Sequence, residues 1–362
     1  MWRVGLLFGG QSAEHEISVQ SARNVLAALA PERYEPVPIG INRQGQWWLT
    51  TPEWLLQANP EQLPPFVQGL TPVGVWPGQG LVQFHQQQWE PLPLDVVFPV
   101  LHGPRGEDGT VQGLLTLAGV PFVGAGVLGS ALGMDKEVMK RLLLQAGLPV
   151  APYRCYRRGQ AVPVTDVVAE LGLPLFVKPA NMGSSVGVTR VCRAEELLPA
   201  LAKAWQHDPK ALVEQAICGR EIECAILDGS PPQASVPGEI IPQHDFYSYE
   251  AKYLDAQGAV FKMPADLTPA QVAQVQALSI RVFQVLECAG LGRVDWFLTP
   301  DGQWIVNEIN TIPGFTQISM YPKLWELSGI SYQDLVSRLL ELALSSPAQK
   351  CENHLAAMLG DG

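Results

Sequence analysis

Two carboxylates in the last third of the chain have a spacing that suits a metal site. A Pro-Asp-Gly turn joins the apolar runs 292–298 and 303–310, which predicts an antiparallel hairpin. If Arg293 opposes Glu308 in this hairpin, Asp295 lies diagonal to Glu308 on the same face, roughly 7–8 Å away. The two acidic side chains would then converge on one point.

Asn310 adds an amide oxygen to this face, because side chains alternate along a strand. Asp295, Glu308 and Asn310 together form a hard oxygen site suited to Mg²⁺, which takes its remaining ligands from water and phosphates. The alternative is a solvated strand face. The surrounding Trp, Phe, Ile and Val residues indicate burial, and buried carboxylates need a partner.

A glycine- and serine-rich loop, residues 183–187, follows a predicted strand that carries Lys178. Such a loop can close over phosphates, because its glycines let backbone N–H groups approach and its hydroxyls donate hydrogen bonds. It lacks the GKS or GKT signature and is therefore not a P-loop. An ordinary hairpin turn is the alternative. The residues concerned are Gly183, Ser184, Ser185 and Gly187.

A rival motif, GAGVLG at residues 124–129, fits the GxGxxG fingerprint of dinucleotide-binding proteins. The acidic residue expected about 20 positions later is missing. Close packing at a domain crossover explains these glycines equally well, and a nicotinamide-dependent oxidoreductase is kept as the alternative from another class of enzyme.

Two further segments could act in chemistry. Gly314 could present its backbone N–H beside Arg293 to a developing oxyanion. The stretch 247–253 lacks a core-forming period and could be a lid that carries Lys252 to a phosphate. A surface loop is the alternative for this stretch.

Alternating strands and helices must hold these residues. A strand over residues 4–8, a glycine turn and a helix open the chain, and a buried strand at 95–101 precedes another helix, which indicates a parallel sheet. Residues 42–94 show little periodicity and are interpreted as a peripheral segment without chemistry. Two α+β regions follow, with predicted strands at 175–177, 186–191, 211–214, 291–298 and 303–310 and a helix near 268–289.

Composition excludes several classes of protein. The formal net charge of −11 disfavours nucleic acid and anionic lipid as partners. Six cysteines without a CxxC pair indicate a reducing compartment, and the short apolar run at the N-terminus does not indicate export, so we expect a cytoplasmic protein. The uncharged stretch 111–134 is broken by glycines and Pro121, which disfavours a membrane span.

The motifs together resemble the D-alanine–D-alanine ligases of the ATP-grasp superfamily over nearly the whole chain. The matching segments are GGQSAEHEIS (9–18), LHGPRGEDGTVQG (101–113), GMDK (133–136), FVKPANMGSSVGV (176–188), LVEQAICGREIE (212–223), FYSYEAKY (246–253), GRVDWF (292–297) and NEINTIPGFTQISM (307–320). The resemblance implies a three-domain ATP-grasp fold: a Rossmann-like domain at 1–125, a central subdomain at 126–214 and a C-terminal subdomain at 215–362.

The resemblance also assigns residues to ATP and metal. Lys136 and Lys178 would contact ATP, Glu214 and Glu221 would bind adenine and ribose, and Lys252 would reach the transferred phosphate. The loop with Gly183, Ser184 and Ser185 would cover the phosphates. Asp295, Glu308 and Asn310 would hold two Mg²⁺ ions, which Mn²⁺ can replace.

For the amino-acid substrates, the resemblance places Glu14 at the ammonium group of the first D-alanine, with His102 nearby. A trio of Glu14, Ser184 and Tyr253 would tie the lid to that site. Arg293 and the Gly314 N–H would stabilise the oxyanion. The carboxylate of the second D-alanine would meet the Ser319 hydroxyl and the Met320 backbone, where family members often have Leu.

The implied reaction joins two D-alanine molecules for peptidoglycan synthesis through a D-alanyl phosphate, with release of ADP and phosphate. A homodimer is the usual assembly. A ligase that joins D-alanine to D-lactate or D-serine is the alternative, although the Lys252-Tyr253 pair resembles the dipeptide-forming type.

Overall fold

The computed structural model describes residues 1–57, 70–242 and 259–345. Its strands are β1 (Trp2–Gly9), β2 (Tyr34–Ile41), β3 (Trp47–Leu49), β4 (Thr71–Trp76), β5 (Gly80–His85), β6 (Gln88–Leu92), β7 (Val96–Pro99), β8 (Tyr153–Arg157), β9 (Leu175–Pro179), β10 (Thr189–Val191), β11 (Lys210–Gln215), β12 (Arg220–Leu227), β13 (Gln233–Ala234), β14 (Gly238–Pro242), β15 (Ala259–Lys262), β16 (Leu291–Leu298) and β17 (Trp304–Asn310). Its helices are α1 (His15–Ala28), α2 (Pro52–Gln57), α3 (Thr110–Ala118), α4 (Val127–Met134), α5 (Lys136–Gln145), α6 (Val164–Leu171), α7 (Leu197–Ala204), α8 (Pro269–Val285), α9 (Met320–Leu327) and α10 (Tyr332–Ser345).

The first sheet has the order β6-β5-β4-β3-β2-β1-β7, and β1 pairs in parallel with both β2 and β7. The parallel strands are covered on both faces, which explains the continuous apolar run that opens the chain. The described part of 42–94 is peripheral, as expected, and it adds β3 to β6 as antiparallel strands at the edge of the first sheet. Exposed faces and interspersed glycine and proline obscure their alternation.

Two antiparallel sheets follow. The second has the order β10-β9-β11-β8 and is packed by α6 and α7, and the third has the order β15-β14-β12-β16-β17 and is packed by α8. The predicted strand 186–191 is shorter than expected. It begins only at Thr189, because Ser184, Ser185 and Gly187 all take positive φ angles that turn the chain before it.

The last helices pack back on the first sheet. Tyr321 of α9 and Leu339 of α10 are fully buried in one cluster with Val4 and Phe8 of β1. The loop between β17 and α9 is thereby held against the first sheet, and Phe315 in this loop meets Phe98 edge-on at 5.6 Å between ring centroids. Within the described part of the chain, no helix has both the length and the apolar character to cross a membrane.

The hairpin of β16 and β17 differs in register from the sequence prediction. Asp295 lies directly opposite Glu308, and Arg293 opposes Asn310. The connection is one residue longer than predicted, and a bulge interrupts the pairing next to Asp295. Because a bulge adds one residue to one strand, it changes which side chains share a face. The prediction that Asp295 and Glu308 share a face is confirmed, and the prediction that they lie diagonal to each other is wrong.

Candidate active site

The acidic hairpin is built by period-two alternation. Along β16 the even-numbered positions from Gly292 to Leu298 are buried, while Arg293, Asp295 and Phe297 are only half-buried on the opposite face. The bulge in β17 brings Glu308 onto the face of Asp295. The two carboxylates therefore meet as the sequence predicted, in a different pairing.

Basic groups neutralise both carboxylates. Arg293 donates two hydrogen bonds to Asp295, at 2.7 and 2.8 Å, and its Nε lies 3.0 Å from an oxygen of Glu223. Burial disfavours the charged guanidinium, but these carboxylates outweigh it and raise the pKa of Arg293 well above its ordinary value. On the other side, Lys136 Nζ lies 3.1 Å from Glu308 Oε2. The acidic pair thus sits among fixed positive charges.

The donor set fits a divalent cation. Asn310 Nδ2 donates to Asp295 at 3.0 Å, so the amide adjoins the carboxylate as predicted. Two carboxylates and an amide are hard oxygen ligands of the kind that Mg²⁺ and Mn²⁺ accept. Among the described residues, no group of three or more His, Cys, Asp or Glu side chains is arranged to hold a metal ion.

A buried trio of charges stands beside the hairpin. Lys140 is fully buried and its Nζ lies 2.6 Å from Glu214 Oε1, while Lys178 pairs with the other oxygen of Glu214. Burial raises the pKa of Glu214, but the two lysines outweigh it, so the pKa is lowered overall. Both carboxylate oxygens of Glu214 are therefore engaged by lysines.

A cavity of about 410 Å³ opens between the second and third sheets. Lys136 and Glu308 line one part of it together with the Gly/Ser loop, and Glu221 of β12 lines another. Its walls include apolar side chains such as Phe176 and Phe297. The volume and this mixture of lysines, carboxylates and apolar walls suit a nucleotide.

The Gly/Ser loop reaches from this cavity to the first sheet. Ser184 donates a hydrogen bond from its hydroxyl to Glu14, which precedes α1. A Cβ on Gly183 would lie 3.2 Å from the other oxygen of Glu14, so the backbone of the loop approaches that carboxylate closely. Two of the three residues of the predicted trio are thus in contact. Tyr253, with Lys252 of the predicted lid, lies outside the described residues.

The remaining predicted residues gather around the loop 311–319. His102 is buried, and its Nδ1 contacts the carbonyl of Ile312 at 3.0 Å. A Cβ on Gly314 would lie 2.8 Å from Ser319 Oγ, so a side chain there would displace the Ser319 hydroxyl. The side chain of Met320 is buried in the core.

The rival glycine motif has a packing role. A Cβ on Gly129 would lie 2.4 Å from the carbonyl oxygen of Glu287, and a Cβ on Gly290 would lie 2.9 Å from Gly124 N. Gly129 in the motif and Gly290 outside it thus allow close contact between the motif and the segment after α8. This close packing accounts for the motif without a dinucleotide.

The sequence patterns did not identify two candidate functional residues, Lys140 and Glu107. Lys140 lies one helical turn after Lys136 on α5, and this four-residue spacing, which puts both on one helix face, was an available signal. Glu107 accepts hydrogen bonds from the N–H groups of Gly103 and Ile312. Nothing in its local sequence indicates that it meets residue 312.

A cavity between two antiparallel sheets, lined by lysines, by Glu308 of the acidic hairpin and by a glycine- and serine-rich loop, is the arrangement of the ATP-grasp class of enzymes. The family model described as "D-ala D-ala ligase N-terminus" matches residues 3–125, and that described as "D-ala D-ala ligase C-terminus" matches residues 142–341. The chain belongs to the D-alanine–D-alanine ligase family.

Similar proteins agree with this assignment. The chain is 50% identical over 347 residues to "D-alanine--D-alanine ligase A" of Chromobacterium violaceum, covering 94% of this chain and 95% of that protein. It is 48% identical to the Escherichia coli K12 protein of the same name, covering 96% of each chain.

Two solved structures share the fold. The D-alanine-D-alanine ligase from Coxiella burnetii superposes with a TM-score of 0.85 at 38% identity, covering 95% of this chain and 94% of that chain. The VanG D-Ala:D-Ser ligase from Enterococcus faecalis also gives 0.85, at 34% identity, covering 94% and 99%.

Proposed function

We propose that this protein joins two D-alanine molecules to D-alanyl-D-alanine, with conversion of ATP to ADP and phosphate, and thereby supplies a precursor of peptidoglycan. One observation carries the proposal beyond family membership. The 3.1 Å contact between Lys136 and Glu308 lies in the wall of a nucleotide-sized cavity, so the lysine proposed to bind phosphate adjoins the carboxylate proposed to bind metal. Phosphoryl transfer needs both.

In the first step, the carboxylate of one D-alanine attacks the γ-phosphate of ATP and forms D-alanyl phosphate. Lys136 and Lys178 bind the phosphates, and the loop with Gly183, Ser184 and Ser185 covers them. Asp295, Glu308 and Asn310 would hold two Mg²⁺ or Mn²⁺ ions, whose charge favours phosphoryl transfer. Glu214 and Glu221, which both line the cavity, are proposed to bind adenine and ribose.

In the second step, the amine of another D-alanine attacks the acyl carbon and phosphate leaves. Arg293 and the N–H of Gly314 stabilise the oxyanion that forms. Ser319 and the backbone of Met320 bind the second carboxylate, while Glu14 binds the first ammonium group beside His102. Lys252 and Tyr253 are proposed to complete the site from the lid.

The three sheets support the proposed division into domains at 1–125, 126–214 and 215–362. We also propose a homodimer. Four exposed apolar side chains on the neighbouring helices α3 and α4 support it: Leu114, Leu117, Val127 and Leu128. A cytoplasmic location follows from the substrates proposed.

A competition experiment tests the substrate. The purified protein is incubated with ATP, Mg²⁺ and D-alanine, alone and with D-lactate or D-serine added, and the products are identified by mass spectrometry. We expect D-alanyl-D-alanine as the main product throughout. A main product that contains lactate or serine would identify the related ligase, and the absence of ADP formation would refute the proposal.

A further inference from the structure

Glu107 is a half-buried carboxyl group to which the proposed reaction gives no role. It lies in the loop between β7 and α3, where its Oε2 accepts a hydrogen bond from the N–H of Gly103 at 2.6 Å. Its Oε1 accepts one from the N–H of Ile312 at 3.3 Å, just after β17. A single side chain therefore joins a loop of the first sheet to a loop of the third.

The same loop is held by other side chains of the first sheet region. His102 Nδ1 lies 3.0 Å from the carbonyl of Ile312, and because a carbonyl only accepts, this nitrogen carries the proton. Ser21 Oγ accepts the N–H of Phe315 at 3.1 Å, and Asn24 donates to the Phe315 carbonyl at 3.0 Å. Glu107 and His102 thus fix both backbone groups of Ile312.

The loop that these contacts hold carries two of the groups proposed to act on the second substrate. Gly314 follows Ile312 by two residues and packs against Ser319, whose hydroxyl accepts the N–H of Thr316 at 3.0 Å. The proposed oxyanion donor and the proposed ligand of the second carboxylate therefore depend on one short backbone segment. A small rotation of it would misplace both groups.

We propose that Glu107 is a positioning residue, which fixes the backbone of Ile312 so that Gly314 and Ser319 face the second substrate. This inference rests on the proposed function. A carboxyl group suits the task because two separate N–H donors need two acceptors. Glutamine supplies one acceptor and turns an NH₂ group toward the other donor, and alanine supplies none.

Enzyme kinetics tests the proposal with Glu107→Ala, Glu107→Gln and the control Asp108→Asn. Asp108 accepts the N–H groups of Arg105 and Thr110 within its own loop, at 2.8 and 3.0 Å, and is not among the side chains that hold Ile312. We expect Glu107→Ala to lower kcat/KM for the second D-alanine roughly 10-fold or more, from the loss of two partly buried hydrogen bonds to a carboxyl group. Glu107→Gln should be intermediate, with the KM for ATP within about twofold of wild type.

Hydrogen exchange supplies a readout independent of activity. The amides of Ile312 and Phe315 should exchange faster in Glu107→Ala, while those of β17 stay protected. The proposal is overturned if second-site kinetics and these amides are unchanged, if Asp108→Asn has the same effect, or if the KM for ATP rises in parallel. If Glu107→Ala does not fold, the same kinetic and hydrogen-exchange measurements on Glu107→Gln test the proposal. A wild-type protein that makes no dipeptide contradicts the proposed function instead, and the exchange data still test the contact.

Discussion

Replacing Lys140 by Met removes one charge from the buried trio and keeps most of the side-chain volume. Lys140 is fully buried and 2.6 Å from Glu214, so the variant leaves a buried carboxylate with Lys178 as its remaining lysine partner. Breaking a buried ion pair typically costs 3–5 kcal/mol. Because Glu214 keeps one partner here, we expect the lower end, about 3 kcal/mol of unfolding free energy.

The same variant should weaken ATP binding. The trio carries one net positive charge, and the variant carries none, so Lys178 becomes committed to Glu214 and offers less charge to a phosphate. A hydrogen bond to a charged group contributes about 1.5–3 kcal/mol. We therefore expect the KM for ATP to rise roughly tenfold or more, with the KM values for D-alanine little changed.

Urea unfolding followed by tryptophan fluorescence measures the change in unfolding free energy, and steady-state kinetics measures the change in the KM for ATP. Lys203→Met on the exposed end of α7 is the matched control and should change the unfolding free energy by about 0.5 kcal/mol or less. A cycle with Glu214→Gln should give a coupling energy above about 1 kcal/mol. A loss below about 1 kcal/mol for Lys140→Met, or strict additivity in the cycle, would refute the reasoning.

Three further predictions concern other parts of the molecule. Glu308→Gln should abolish turnover in an ADP-release assay, and near-normal activity would remove Glu308 from the metal site. Burial, with nearby Glu14, raises the pKa of Glu107 to about 8, so the folded protein retains a proton that the unfolded chain loses near pH 4.3. The unfolding free energy of wild type, relative to Glu107→Gln, should therefore fall as pH rises between these values in urea titrations. Leu117 on α3 is 65% exposed, and Leu117→Glu should convert the proposed dimer to monomers in sedimentation equilibrium; an unchanged mass would place the interface elsewhere.

The acidic hairpin shows what local pattern can predict. Alternation and the Pro-Asp-Gly turn placed Asp295 and Glu308 on one face, which the structure confirms. The exact pairing was wrong, because the longer connection and the bulge depend on how the strands twist and pack. Neither feature has a signature in the residues 299–308 themselves.

The sequence pattern alone did not predict which distant segments contact each other. Glu14 and Ser184 are 170 positions apart and were brought together only by resemblance to a family. The four-residue spacing of Lys136 and Lys140 puts both on one helix face, but nothing in it indicates that Lys140 pairs with Glu214 of β11. Whether a charged side chain is buried against a distant segment depends on the tertiary fold. The periodicity of a single sequence does not reveal it.

Transfer of an isotope label tests the central chemistry most directly. D-alanine with ¹⁸O in its carboxyl group is supplied with ATP and Mg²⁺, and the released phosphate is analysed by mass spectrometry. If the carboxylate attacks the γ-phosphate in this cleft, each phosphate released with a dipeptide carries one ¹⁸O. Unlabelled phosphate released in step with dipeptide would contradict the account.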